Sequence, residues 1–155
     1  MALDALGFEK QLVFPTFSII QFAFSKDRDV LYGGLDAYNR AIAEFCANDK
    51  RLCSVGMVSL EDLDRALACL DRALALGCDS IWISHTAAGG RSPAHVDNDP
   101  FWARLQESGR PFLNHIGFGP NTIDASYHET GRPKPTDFLG GGENLRSKDY
   151  PVLHH

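Results

Sequence analysis

Apolar positions along the first two thirds of the chain switch between helical and strand spacing. Leu35, Tyr38, Ile42 and Phe45 recur at steps of three and four, which predicts an amphipathic helix over Gly34 to Ala47. The apolar run Leu52 to Val58 is too short for another helix turn set and reads as a strand. Ser59 is placed to cap the next helix, with Glu61 and Asp62 in its first turn. Leu60, Leu63, Leu67, Leu70 and Leu74 form its buried stripe, and Gly77 ends it. Ser80 to Ser84 is a second strand. Asn98 or Asp99, followed by Pro100, opens a helix through Phe101, Trp102 and Leu105 that Gly109 closes, and Pro111 to Asn114 is the last clear strand. The start repeats this order: Ala2 to Leu6 is a final helical turn, Gly7 its stop, and Gln11 to Pro15 a strand.

Strands near positions 12, 54, 81 and 112, separated by helices, predict right-handed crossovers and a parallel sheet. The fold class is therefore α/β, a partial (β/α)8 TIM barrel of about four parallel strands with helices. A complete barrel takes roughly 250 residues, so the barrel is incomplete in this chain. Residues 1–155 read as a single partial barrel domain, with βα units over 1–117 and a long Gly-, Pro- and charge-rich loop region over 118–155. Half a barrel leaves two strand edges open. Three readings answer that: a piece of a larger barrel, an assembly completed by a partner such as a second copy, or a smaller open sheet.

Composition narrows the class. The chain has 155 residues, 44% of them hydrophobic, enough for one domain with a real core. A net charge of -5 with no Lys/Arg cluster argues against nucleic acid as a partner. No run reaches the roughly 18 to 20 apolar residues of a membrane helix, and the first residues lack a signal-peptide pattern, so no membrane partner and a cytoplasmic location are expected. Cys46, Cys53, Cys69 and Cys78 show no CxxC spacing and read as small buried side chains of a reducing compartment.

The chemistry concentrates in Gly109 to Gly117, GRPFLNHIG, where a histidine stands at the point where strand gives way to loop. In parallel α/β folds the carboxyl ends of strands carry ligands and metals. His115 is thus either a metal ligand or a histidine bonded to a neighbouring carbonyl. A single histidine cannot hold a catalytic zinc, which needs about three protein ligands. His85 follows the preceding strand and would share the rim, as a substrate contact or an ordinary loop histidine. Arg91, in the loop Ala87 to Pro93, could grip a substrate carboxylate with its fork, or be a surface arginine bonded to loop carbonyls or to Asp97. The loop has neither a GxGxxG nor a GK[ST] signature. Gly140, Gly141 and Gly142 with Glu143 form a hinged lid or plain turns. His95 and His128 are expected to be solvated, and His154 and His155 are read neither as ligands nor as a tag.

The run SIWISHTAAGGRSPAHVDNDPFWARLQESGRPFLNHIG, Ser80 to Gly117, resembles the middle of the amidohydrolase-related proteins, the group that contains aminocarboxymuconate semialdehyde decarboxylase and the resorcylate-type decarboxylases. QLVFPT and GRPKPTDFLGGGEN, Gly131 to Asn144, are similar to a bacterial branch of that group. The GGRS loop, the DPFW helix start and the strand-end histidine carry most of the likeness. The resemblance covers nearly the whole chain and about the middle half of a complete member. It implies a distorted (β/α)8 barrel holding one divalent metal, usually zinc. The family's ligands are a His-x-His pair after the first strand, a histidine after the fifth and an aspartate after the eighth, with a further histidine after the sixth strand assisting catalysis. His115 matches the fifth-strand ligand; the chain contains no His-x-His, and its catalytic residues are left unassigned. What the resemblance implies is a fragment of a metal-dependent enzyme, a decarboxylase (carboxy-lyase) acting on a small carboxylated substrate, inactive in isolation. The alternatives are a metal-dependent hydrolase of the same family, a non-catalytic doubly wound α/β binding module, or a structural piece that forms a homo-oligomer through its open edges.

Overall fold

In the computed structural model, residues 2–15, 19–23, 25–84, 88–115 and 130–131 are described below. Four strands, β1 (Gln11–Val13), β2 (Leu52–Val58), β3 (Ser80–Ser84) and β4 (Phe112–His115), pair in parallel in the order β1-β2-β3-β4. The helices are α1 (Ala2–Leu6), α2 (Arg28–Cys46), α3 (Leu63–Ala75) and α4 (Asp99–Ser108); α2, α3 and α4 each link two adjacent strands. Crossovers of one hand that always step in the same direction put every helix on the same side of the sheet. A doubly wound sheet needs a reversal of strand order, and among these strands none occurs.

The register identifies the two faces. Met57, Trp82 and Leu113 are level with one another, as are Val58, Ile83 and Asn114 one step on. Alternation puts the two sets on opposite faces. Gly56 and Phe112 share the face of Val58: a Cβ on Gly56 would come 3.0 Å from Cys78 Sγ, and the Phe112 ring lies 5.1 Å from that of Trp102 on α4. The helices cover this face, with Ile81, Ile83, Leu70, Ala73 and Phe101 buried between the layers. Met57 and Trp82 are on the other face, also buried. Ion pairs tie successive helices on the outside: Asp29–Arg65 at 2.6 Å and Asp36–Arg72 at 2.9 Å join α2 to α3, and Asp71–Arg104 at 2.7 Å joins α3 to α4.

Among the described residues, β1 pairs with β2 only as far as Ser54, and none is paired with Val55 to Val58 as a strand on that side. α2 supplies the missing partner. Asn39, buried in the core, donates from Nδ2 to Met57 O at 2.9 Å and accepts at Oδ1 from Met57 N at 2.7 Å; Tyr38 donates its hydroxyl to Val55 O at 2.9 Å. An amide side chain thus replaces the ladder bonds that an adjacent strand would make.

Four sequence expectations need correction. α2 begins six residues before the predicted Gly34, because Asp27 caps it, accepting from Asp29 N at 2.9 Å and Val30 N at 3.3 Å. Its buried side runs through Leu31, Leu35, Tyr38, Asn39, Ile42 and Cys46, while Phe45 points out at 57% exposure. α3 is capped by Asp62, which accepts from Arg65 N at 3.1 Å, and Ser59 instead accepts from Glu61 N. Its deepest positions are Ala66, Cys69, Leu70 and Ala73, with Leu63, Leu67 and Leu74 partly buried beside them, since small residues let α3 approach α2 and β2 closely. The predicted stops hold: Gly7, Gly77 and Gly109 take left-handed φ of 68°, 85° and 66°.

The four thiols are free, three of them buried and Cys53 half-buried. Burial pushes Cys69 from an ordinary 9.0 up to about 12 and Cys78 to about 11, and pushes the Tyr32 hydroxyl from 10.0 to about 12. Each raised value means that the folded chain favours the neutral form, so the associated stability is complete below the ordinary pKa and is lost as pH rises through the folded one. The free energy of unfolding from urea titrations, and the midpoint with it, should therefore hold between pH 7 and 8; between about 9 and 12 the free energy should fall by up to about 1.4 kcal/mol per pH unit for each titrating group. A midpoint that stays level across that window would contradict the burial of these groups.

Candidate functional site

The carboxyl ends of the strands define one rim. β2 ends at Val58, level with Ile83; β3 ends at Ser84, level with His115 at the end of β4. The backbone of His115 therefore stands at the rim, beside the point where the chain leaves β3 toward His85. His85 lies outside the described residues, as do His128, Gly140 to Gly142, Glu143, His154, His155 and most of the 118–155 tail.

The loop after β3 is built on the next helix. Ala88 and Arg91 exchange backbone hydrogen bonds of 3.2 Å across Gly89 and Gly90, whose φ of 60° and 72° suit a two-residue turn that side-chain-bearing residues avoid. Arg91 Nη1 meets Asp97 Oδ2 at 2.5 Å, so the guanidinium engages a carboxylate of its own loop. Asn98, buried, donates from Nδ2 to Ser92 O at 3.2 Å, and Trp102 Nε1 donates to Pro93 O at 2.8 Å. Asn98 caps α4 only by position, without a side-chain bond to the helix, and Pro100 sits in the first turn as the sequence suggested.

His95 is not solvated, contrary to expectation. Its side chain is 16% exposed, and Nδ1 accepts from Asp97 N at 3.1 Å, closing the 3-10 turn Val96–Asn98. Val96 N donates to Thr130 O at 2.9 Å, and a Cβ on Gly131 would fall 2.8 Å from His95 Nε2. The fold thus brings His95 and Val96, which follow the GGRS loop, against Thr130 and Gly131 at the start of the GRPKP block.

Among the described residues, no group of three or more His, Cys, Asp or Glu side chains is placed to hold a metal ion.

A small cleft with room for about one water opens near the rim, between Ala23 at the end of the π-helical turn Ile19–Ala23, α2 and the ends of β2 and β3. Ala23, Leu31, Leu35, Met57, Val58, Ser59 and Trp82 line it. The indole Nε1 of Trp82 is buried without a hydrogen-bond partner, as are Ser80 Oγ and Asn98 Oδ1 among the described residues. Sequence reasoning passed over Trp82 because in SIWIS it stands between two isoleucines and reads as core. The available signal was the indole N–H, a donor that a buried strand position seldom leaves unpaired.

The amidohydrolase family model matches residues 15–143, and the chain belongs to that family. Among solved structures it is similar to an amidohydrolase from Mycobacterium avium subsp. paratuberculosis K-10, at 29% identity with a TM-score of 0.67. The alignment covers 75% of this chain and 32% of that one, so the chain spans about a third of the length of the relative. No curated protein matches the chain. The four parallel strands with their helices are a partial TIM barrel of the amidohydrolase type, as the sequence predicted. Among the described residues no helix is long and apolar enough to cross a membrane.

Proposed function

We propose that the chain corresponds to part of a metal-dependent amidohydrolase-related enzyme that decarboxylates a small carboxylated substrate, with His115 as one ligand of a divalent metal, zinc by preference, and His85 and Arg91 facing the substrate. The carrying observation is the register that puts His115 at the strand-end rim level with Ser84. Family membership supports a divalent metal, which the family generally uses. Arg91 already binds a carboxylate, that of Asp97, and Asp97 is 54% exposed, so a substrate carboxylate could exchange with it from solvent. The free thiols suit a cytoplasmic setting. Hydrolysis at the same rim is the second reading, favoured by the description of the solved relative as an amidohydrolase.

Zinc titration followed by imidazole nuclear magnetic resonance tests the ligand. Of the six histidines, His115 should respond first, and His115→Ala should weaken zinc binding by about tenfold or more, the scale of one lost interaction. Equal binding by both proteins would remove His115 from the site. Release of labelled carbon dioxide from carboxyl-labelled acids, set against cleavage of amides and esters by the zinc-loaded protein, separates the two reactions.

A further inference from the structure

We propose that His95 and Asp97 form a proton-operated release for Arg91. With His95 neutral, Asp97 occupies the guanidinium; a proton on His95 draws Asp97 away and opens Arg91 to a ligand carboxylate. One oxygen, Asp97 Oδ2, lies 2.5 Å from Arg91 Nη1 and 3.6 Å from His95 Nδ1, so both side chains address the same acceptor. His95 Nδ1 accepts from Asp97 N at 3.1 Å, which assigns the proton of the neutral ring to Nε2. The Nε2 edge packs on Gly131, where an added Cβ would come within 2.8 Å. A second proton therefore enters at Nδ1. It turns the acceptor of Asp97 N into a donor, and the carboxylate at hand to receive it is that of Asp97 itself. Histidine is the side chain that ordinarily changes charge between about pH 5 and 8. Among the described residues, Asp97 faces His95 from its own loop with Arg91 behind it, and the 130–131 segment packed on the ring brings Thr130 and Gly131, neither of which titrates. The next carboxylate along the chain is that of Asp99, the first residue of α4.

That the incoming carboxylate belongs to the substrate rests on the function proposed above; the exchange of Asp97 between Arg91 and His95 does not. His95 and Asp97 are then positioning residues that act on the substrate through Arg91, and the site takes carboxylates more readily as pH falls. Linkage is reciprocal: a carboxylate on Arg91 frees Asp97 for His95 and holds the proton there to higher pH.

The test is calorimetry of benzoate binding to the chain, with EDTA present, at about pH 8 and about pH 5.5, where the probe is ionised throughout and histidine is not. The Arg91 Nε–H and His95 ring resonances are followed over the same range. Benzoate should bind about fivefold more tightly at the lower pH, the scale of one exposed ion pair, and the Arg91 signal should move with the His95 titration even without benzoate. Asp97→Asn should bind benzoate at high pH as tightly as the wild type does at low pH. His95→Asn keeps a capping acceptor and takes up no proton in this range, so it should hold the weaker affinity at both pH values. The proposal is overturned if His95→Asn retains the pH dependence, which would assign it to another group such as His85. It also fails if Asp97→Asn binds more weakly than wild type at both pH values, which would make Asp97 a plain support of Arg91. Where a variant fails to fold the wild-type spectrum decides: an Arg91 signal indifferent to the His95 titration overturns the proposal. Arg91→Gln separates it from the reading on which it rests. If benzoate binds that variant unchanged while the wild-type Arg91 signal follows His95, Arg91 is no substrate contact and the exchange stands. If benzoate needs Arg91 but binds equally at both pH values, the exchange falls and the substrate contact stands.

Discussion

Asn39→Leu is expected to destabilise the chain by about 2–5 kcal/mol, because it strips partners from two buried backbone groups at once and each costs about 1–3 kcal/mol when left unpaired. Asn39 is 1% exposed, and its amide holds both Met57 N and Met57 O where β1 has already ended. Leucine matches the shape without offering a donor or an acceptor. Asn39→Asp separates the two bonds: a carboxylate still accepts from Met57 N but cannot donate to Met57 O, and its burial raises its pKa. A raised value favours the protonated acid in the folded state, so this variant should regain stability as pH falls and lose it as pH rises through the folded value. Urea denaturation of both variants at two pH values is the measurement. A leucine variant within about 1 kcal/mol of wild type would mean that the edge of β2 finds other partners.

Asn39 also marks where the sequence stops being legible. β2 and β3 have the bounds that the apolar runs suggested, and α1 and the three glycine stops stand where they were read. These elements are set by local signals, namely run length and a backbone conformation that glycine adopts freely. What failed depends on contacts between elements. The helix was read from Gly34, yet α2 starts at Arg28 and passes through Gly33, and a Cβ on Gly34 would fall 2.4 Å from Phe22 Cγ, so glycine there makes room for the turn Ile19–Ala23. Phe45 continues the apolar spacing but faces outward, and Asn39, polar by composition, takes a core position because the edge of β2 needs an amide.

The candidate site divides in the same way. His115 was found because strand and loop meet at that residue, a local event in GRPFLNHIG. The ion pair Arg91–Asp97 was one of two readings open for that arginine, and only folding of the loop onto α4 brings the two side chains within 2.5 Å. Trp82 and its cleft could not be read locally, since the cleft is walled by residues from the Ile19–Ala23 turn, α2, β2 and β3.

Phe101→Ala is expected to cost about 3–5 kcal/mol, the range for removing a large aromatic side chain from a packed core. Phe101 is fully buried and stands edge-on to Trp102, with ring centroids 5.2 Å apart and planes at 84°. Such a pair adds about 0.5–1.5 kcal/mol beyond the area it buries. The loss should reach the rim as well as global stability. Trp102 donates to Pro93 O and packs on Phe112 of β4, so α4 holds the loop of Arg91 and the strand of His115 from one side. A cavity under Trp102 removes the support on which those contacts rest. Trypsin cleavage after Arg91 should then accelerate more in Phe101→Ala than in Arg104→Ala, which breaks only the half-exposed pair with Asp71 and should cost no more than about 1 kcal/mol. Equal cleavage rates in the two variants would show that the rim loop keeps its shape independently of the α4 core, while a loss of stability below about 1.5 kcal/mol would show that neighbouring side chains collapse into the space that Phe101 leaves.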